Sequence, residues 1–368
     1  IVPDESRTFG MEGLFRQVGI YSPVGQLYEP VDKEQMMYYR EKKDGQYLQE
    51  GICEAGGFAS WVAAATSYST NAVQMIPFYI FYSMFGFQRV MDLAWAAGDM
   101  RARGFLLGAT AGRTTLAGEG LQHTDGHSHV MSSLIPNCVS YDPTYAYELA
   151  VIMQDGLRRM VQEQEDVFYY ITVMNENYQH PALPEGVNEG IIKGMYCLQK
   201  AEKSDLVVNL LSSGTILRET ELAAKILQDY GVTANVWSVT SFSELARDGR
   251  AVSRRNRLHI EREAEQSYVT QCLATHPGPV IAATDYVRAY ADSIREFIDA
   301  DYTVLGTDGF GRSDRRKQLR HHFEVDAKSI VIAALAALAR VEKLDVAVVQ
   351  KAMKALEIDP DKPDPAIL

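Results

Sequence analysis

Ile76-Pro77-Phe78-Tyr79-Ile80-Phe81-Tyr82-Ser83-Met84-Phe85-Gly86-Phe87-Gln88-Arg89 decides how this chain is built. Its first half, residues 76–82, is a run of aromatic and aliphatic side chains of the length of a buried strand. Its second half opens a helix over about residues 85–97. The whole apolar stretch, residues 75–97, is interrupted by Pro77, Gln88, Arg89 and Asp92. A membrane span needs about 20 largely uninterrupted apolar residues. The stretch therefore reads as a strand running into a helix inside a globular protein, with no membrane contact.

The same alternation continues on both sides. Residues 55–67 are small and apolar, which suits a tightly packed helix. Residues 104–109, 138–140 and 167–174 read as strands, and residues 144–162 have helical periodicity. Residues 175–189, with Pro181, Pro184 and Gly186, are the expected linker. Beyond it, strands are expected at 206–211, 232–239 and 280–283. Helices are expected at 217–230, closed by Gly231, at 286–298, and twice within 329–356. This alternation implies mostly parallel sheets covered on both faces. The expected fold class is α/β, with two doubly wound domains over residues 1–189 and 190–368. Residues 26–40, polar with paired aromatics, are a candidate mobile loop.

Composition narrows the function classes. The 368 residues are 46% hydrophobic and 23% charged, an ordinary globular balance. A net charge of -12 argues against nucleic-acid binding, which needs a basic face. Cys53, Cys138, Cys197 and Cys272 are scattered without a CxxC pair, as expected of reduced thiols in a cytoplasmic protein. The sequence opens Ile1-Val2-Pro3-Asp4 without a basic leader, and is expected to begin partway through a longer natural chain.

Two further segments carry candidate chemistry. Gln49-Glu50-Gly51-Ile52-Cys53-Glu54-Ala55-Gly56-Gly57 sets a carboxylate at the start of a small-residue helix. Free amides and the helix dipole favour the ionised form there. Taken alone, an ordinary helix-start acid is the plainer reading. Residues 112–129 form a glycine-punctuated loop after a strand, where α/β sheets build their sites. The loop carries Glu119, His123, His127 and His129. Gly126 disfavours a helix that would present His123 and His127 together to zinc, and no cysteine is near; a merely polar loop stays open. In the opening stretch most aromatics suit a core, and one or two at the strand end suit a flat heterocycle.

Together and in this order, these segments resemble the transketolase-like thiamine diphosphate enzymes, most closely the homodimeric pyruvate dehydrogenases. The resemblance covers essentially the whole chain. It is most specific at Val2-Pro3-Asp4-Glu5-Ser6-Arg7-Thr8-Phe9-Gly10-Met11-Glu12-Gly13, at residues 118–123, and at Thr307-Asp308-Gly309-Phe310-Gly311-Arg312-Ser313-Asp314. It implies that Glu54 shares a proton with N1′ of the cofactor's aminopyrimidine, so that the 4′-amino group can take the proton from thiazolium C2. An amide could hold the ring but could not cycle the proton.

The resemblance also implies that Tyr82 and Phe85 line the pyrimidine pocket, with Ile52 packing against the cofactor. His123 faces the substrate and can hydrogen-bond a developing alkoxide or a carboxylate. Glu119 shapes proton traffic or substrate entry, and Asp4 lies close to the cofactor. Arg89 either pairs with an acid near Glu54 or forms a surface salt bridge. His127 and His129 are read as loop or interface residues. The implied reaction is oxidative decarboxylation of pyruvate by a homodimer. The acetyl unit passes to a lipoyl group of the dihydrolipoyl acetyltransferase core.

One part of the family pattern is missing. Such enzymes hold the diphosphate and magnesium through Gly-Asp-Gly followed downstream by Asn, an oxygen-only set that suits magnesium. Here Gln154-Asp155-Gly156 falls within an expected helix, and Asp308-Gly309 has no suitable Asn after it. Thiamine diphosphate and magnesium are therefore expected to need a domain outside this chain, and the chain alone to be inactive. Three rival readings remain. One is a transketolase or branched-chain 2-oxoacid dehydrogenase, with Arg312, Arg315, Arg316 and Arg320 as a phosphate cluster. Another is a β-type subunit that needs a separate α-chain. The third is a non-catalytic docking module.

Overall fold

The computed structural model describes residues 1–3, 6, 9–31 and 38–368. Asp4 and residues 32–37 of the expected mobile segment lie outside the described residues. The first half runs α1 (Glu54–Ala65), β1 (Phe78–Tyr82), α2 (Gly86–Asp99), β2 (Phe105–Ala109), α3 (Ser128–Ser132), β3 (Cys138–Tyr141), α4 (Ala146–Leu157) and β4 (Phe168–Thr172). The four strands form one parallel sheet in the order β1-β2-β4-β3.

Period-two alternation sends successive side chains to opposite faces. Tyr79, Phe81, Leu106, Phe168 and Tyr170 pack with Phe58 and Trp61 of α1 and Phe87 and Val90 of α2. Phe105, Tyr169 and Ile171 pack on the other face with Ile152 of α4. Beside them Ile80 and Ala109 are covered by Val2, Phe15, Ile20 and Tyr47 of the N-terminal segment. With both faces buried, the strands read as continuous apolar runs.

The second half runs α5 (Asn188–Lys193), β5 (Tyr196–Gln199), β6 (Val207–Ser212), α6 (Ile216–Leu227), β7 (Thr233–Ser238), α7 (Phe242–Leu258), α8 (Tyr268–Ala274), β8 (Val280–Ala283), α9 (Arg288–Asp292), β9 (Tyr302–Leu305), α10 (Arg316–His322), α11 (Ala327–Arg340) and α12 (Val346–Ala355). Its five-stranded sheet has the order β9-β8-β6-β7-β5. All its pairings are parallel except that of β5, which runs antiparallel to β7. Val208, Leu210 and Ile281 lie under α6 and α11, while Leu211, Val280 and Ala282 lie under α7. The fold class is thus α/β with two mostly parallel sheets. No described helix is long and apolar enough to cross a membrane.

One expected helix is corrected. Residues 286–298 do not form a single helix: α9 has five residues and is followed by a separate 3-10 turn, Arg295–Phe297. The start of that segment is committed to contacts with the first half, since Val287 donates its amide to Gly126 O at 2.7 Å. The sequence reading also passed over α7, the longest helix at 17 residues, and the strands β5 and β9.

Candidate active site

The first wall of the candidate site is the amino end of α1. Cys53 caps it, its Sγ accepting from the Gly56 amide at 3.4 Å, and Glu54 is the first helical residue. The Glu54 side chain remains 15% exposed, so its carboxylate is reachable. The second wall follows β1. That strand ends at Tyr82, and a short turn through Phe85 leads into α2, which carries Arg89.

Arg89 Nη1 donates to Glu54 Oε1 at 2.7 Å. The same guanidinium lies 4.3 Å from the centre of the Phe85 ring. One side of the carboxylate is therefore held by a cation that is itself stacked on an aromatic face. Glu54 Oε2 takes no hydrogen bond from a described residue.

The third wall is the loop after β2, which returns as a 3-10 turn, Leu121–His123. It sets the His123 ring 5.1 Å from Tyr82 and 4.9 Å from Phe85, and those two rings are 6.0 Å apart. Phe9 adds a ring 5.2 Å from Tyr82. Glu54, Arg89, Phe85, His123, Tyr82 and Phe9 thus form one continuous cluster at the carboxyl ends of β1 and β2. Open α/β sheets bind ligands at that end of their strands.

His123 Nδ1 is buried and has no hydrogen-bond partner among the described residues. Cavities of about 540 to 670 Å³ are lined by other residues, such as Val151 and Leu157, Arg247 and Tyr268, or Tyr28 and Tyr39. The rings of Tyr82, Phe85 and His123 are half-buried, so part of each is left to solvent.

The remaining expected residues fall less close to this cluster. Ile52, 70% exposed, stands two residues before Glu54 with its side chain free to meet a ligand. Glu119 is exposed, and no described residue bonds it. It shares the loop of His123 without joining the ring cluster. Asp4 lies outside the described residues.

His129 is drawn away altogether. It is fully buried, with Nδ1 2.7 Å from Ser140 Oγ and Nε2 2.9 Å from Thr172 Oγ1, and it stacks on Tyr290 at 4.8 Å. Burial pushes its pKa down to about 3, so the imidazole is neutral. The Asp142 carboxyl 4.0 Å away is pushed up to about 7 by its own burial, against hydrogen bonds from Thr172 and Ser213. The two are a polar contact within the junction of the halves and not an ion pair near pH 6. Among the described residues, no three His, Cys, Asp or Glu side chains are placed to hold a metal ion.

Sequence reasoning missed Phe9, for which an isolated aromatic in a loop gives no local signal. It also left open the partner of Arg89, which proves to be Glu54 itself.

Comparison with known proteins places the chain among relatives. Residues 1–181 match the family described as pyruvate dehydrogenase E1 component middle domain, and residues 194–326 match the transketolase-like TK C-terminal domain. Over 368 residues the chain is 64% identical to the pyruvate dehydrogenase E1 component of Pseudomonas aeruginosa, covering 99% of this chain and 42% of that relative. It is 60% identical over 370 residues to the protein of the same name from Escherichia coli K12, covering 100% of this chain and 42% of the relative. The chain therefore spans less than half the length of these relatives.

Among solved structures, transketolase from Campylobacter jejuni superimposes with a TM-score of 0.65 at 17% identity, over 91% of this chain and 43% of the other. A split gene transketolase, an inactive β4 tetramer, does so with a TM-score of 0.56 at 15% identity, over 91% of this chain and 97% of the other. At such identities the two structures speak to the fold alone.

Proposed function

The chain belongs to the pyruvate dehydrogenase E1 family, and from that we propose that it supplies the pyrimidine-binding half of a thiamine diphosphate site in an enzyme that oxidatively decarboxylates pyruvate. The observation that carries this reading is the joining of Glu54 to Phe85, Tyr82 and His123 at one face.

The residues present fit an aminopyrimidine. Glu54 has one carboxylate oxygen held by Arg89 and the other unbonded by any described residue, as suits a carboxylate that must hold and return a proton at N1′. Tyr82 and Phe85 present aromatic faces for a flat ring, and Ile52, two residues before Glu54, offers exposed apolar surface. When bound, thiamine diphosphate supplies the carbon nucleophile and the electron sink.

His123 sits beside the two aromatics with a buried ring nitrogen that no described residue bonds. Its role in this proposal is to hydrogen-bond the oxygen of pyruvate on which charge develops. Glu119, at the rim, guides substrate entry, and Asp4 belongs to the segment beside the cofactor. The diphosphate and magnesium are assigned to parts of the protein outside this chain. The division into a pyrimidine domain, residues 1–189, and a C-terminal domain, residues 190–368, is part of the same reading.

For the whole protein we infer a cytoplasmic homodimer that passes the acetyl unit to the lipoyl domain of a dihydrolipoyl acetyltransferase core. Identity of 64% and 60% with chains more than twice as long favours half of one long chain over a separate β-type subunit. The deciding experiment offers the full-length enzyme pyruvate, a branched-chain 2-oxoacid and a pentose phosphate in parallel, with a lipoyl acceptor. Acetylation of the acceptor from pyruvate alone is expected. Turnover of the sugar phosphate in its place overturns the substrate.

A further inference from the structure

The loop that carries His123 is held by the other half of the chain. Arg113 donates its amide to Asp285 O at 3.2 Å and its guanidinium to Thr307 O at 2.6 Å and to Gly309 O. The buried Asp285 carboxylate accepts the Thr114 amide and hydroxyl at 2.8 and 2.7 Å, and the Thr115 amide and hydroxyl at 3.1 and 2.6 Å. Gly112 (φ +91°) can carry no side chain here, because a Cβ would strike Asp285 Oδ2. Arg316 Nε reaches Thr115 O at 2.6 Å, and Gly118 donates its amide to Asp314 O at 3.1 Å.

These contacts tie the loop down as far as Gly118. A further contact meets the His123 turn itself. Thr124 Oγ1 bonds Leu121 O at 2.8 Å and so closes the turn that presents His123. Gly311, from the loop after β9, packs directly against that closure. A Cβ there would overlap Thr124 Oγ1 outright and come within 2.8 Å of Leu121 O. The φ of Gly311 is not positive, so the backbone tolerates alanine and only the space forbids it.

We propose that Gly311 is a positioning residue for His123, and that the segment of residues 307–316 is the device by which the C-terminal half sets the candidate site. The inference rests on the proposed role of His123. Gly311 touches no ligand; it acts through the Leu121–His123 turn. Displacements of about 1 Å in an active site cost up to roughly a hundredfold in rate.

The test uses the full-length enzyme with pyruvate. Gly311→Ala is expected to lower kcat/KM for pyruvate by about ten- to a hundredfold, with the Kd for thiamine diphosphate unchanged. Thr124→Ala, which removes the hydroxyl that closes the turn, is expected to lower kcat/KM in the same way and to leave the Kd for thiamine diphosphate unchanged. In a His123→Ala background Gly311→Ala is expected to add no further loss, because two residues acting through one contact are not additive. The rate at which diethyl pyrocarbonate modifies His123, read by peptide mass spectrometry, is expected to change in Gly311→Ala while that of His180 does not.

Undiminished loss in the His123→Ala background, or unchanged modification at His123, overturns the inference. If His123→Ala alone leaves activity intact, the proposed role of His123 fails, and the modification rate still decides whether Gly311 sets its position.

Discussion

Arg89 and Glu54 are 35 residues apart in sequence, yet the guanidinium donates to the carboxylate at 2.7 Å while stacking 4.3 Å from Phe85. One cation thereby links the acid at the start of α1 to the aromatic at the start of α2. The link fixes the carboxylate beside the ring face and leaves its second oxygen to a ligand.

Glu54→Gln keeps the shape and removes the proton cycle. In the full-length enzyme it is expected to lower kcat by about 10²–10⁴-fold, the range of lost general acid–base catalysis. Its melting temperature should stay close to that of the parent, since a first-turn acid contributes only about 0.3–1 kcal/mol. Steady-state kinetics beside thermal denaturation checks both, and wild-type turnover in the variant sinks the assignment of Glu54.

Arg89→Met removes the cation but keeps most of the side-chain bulk over Phe85. Because Arg89 is half exposed, the pair should contribute about 1 kcal/mol or less to folding. A smaller kinetic loss than that of Glu54→Gln is expected, since the carboxylate remains but is no longer oriented. An equal or greater loss would mean that Arg89 meets the ligand itself.

Phe85→Ala takes away a ring that faces both Arg89 and His123. Aromatic pairs contribute about 0.5–1.5 kcal/mol beyond burial, so the Kd for thiamine diphosphate should rise roughly two- to twelvefold. Cofactor titration followed by fluorescence reads this. No change in affinity would place the pyrimidine elsewhere.

Buried Asp142 gives a pH signature at the junction of the two halves. Its carboxyl accepts from Thr172 Oγ1 and Ser213 Oγ, both at 2.7 Å, and burial raises its pKa from 3.8 to about 7. Between pH 3.8 and about 7 the folded state therefore binds the extra proton. Stability from this group is present at low pH and is lost as pH rises through that window. Asp142→Asn should flatten the fall: the difference in melting temperature between parent and variant should shift in the variant's favour from pH 5 to pH 8. A difference that is constant over this range contradicts the assignment.

Much of this was legible in the sequence because the strands are buried on both faces. The runs at β1 and β2 and residues 168–171 of β4 are aromatic or aliphatic and largely buried, and β8 matched its expected limits of 280–283. α7 was passed over although its pattern is present: Phe242, Leu245, Ala246, Gly249 and Val252 are buried at helical spacing, among five arginines that make the segment polar on average. Its start signal was present: Ser241 Oγ accepts from the Glu244 amide at 3.0 Å, a cap spaced three residues apart.

The broken helix at 286–298 failed for a different reason. Local propensity allowed the helix, but Val287 is held by Gly126, a contact 161 residues distant that no local pattern reveals. In the site, the residue types at 54, 82, 85 and 123 could be read. Their convergence, the pairing of Arg89 and the packing of Gly311 under the His123 turn are long-range facts that only the fold supplies.

The most direct test of the central claim is one distance, measured in a crystal structure of the full-length enzyme with thiamine diphosphate bound. It runs from the nearer Glu54 carboxylate oxygen to N1′ of the aminopyrimidine. The account predicts hydrogen-bond reach, about 2.6–3.2 Å, with the ring against Tyr82 and Phe85. A pyrimidine bound away from that face, with Glu54 still paired only to Arg89, would contradict it.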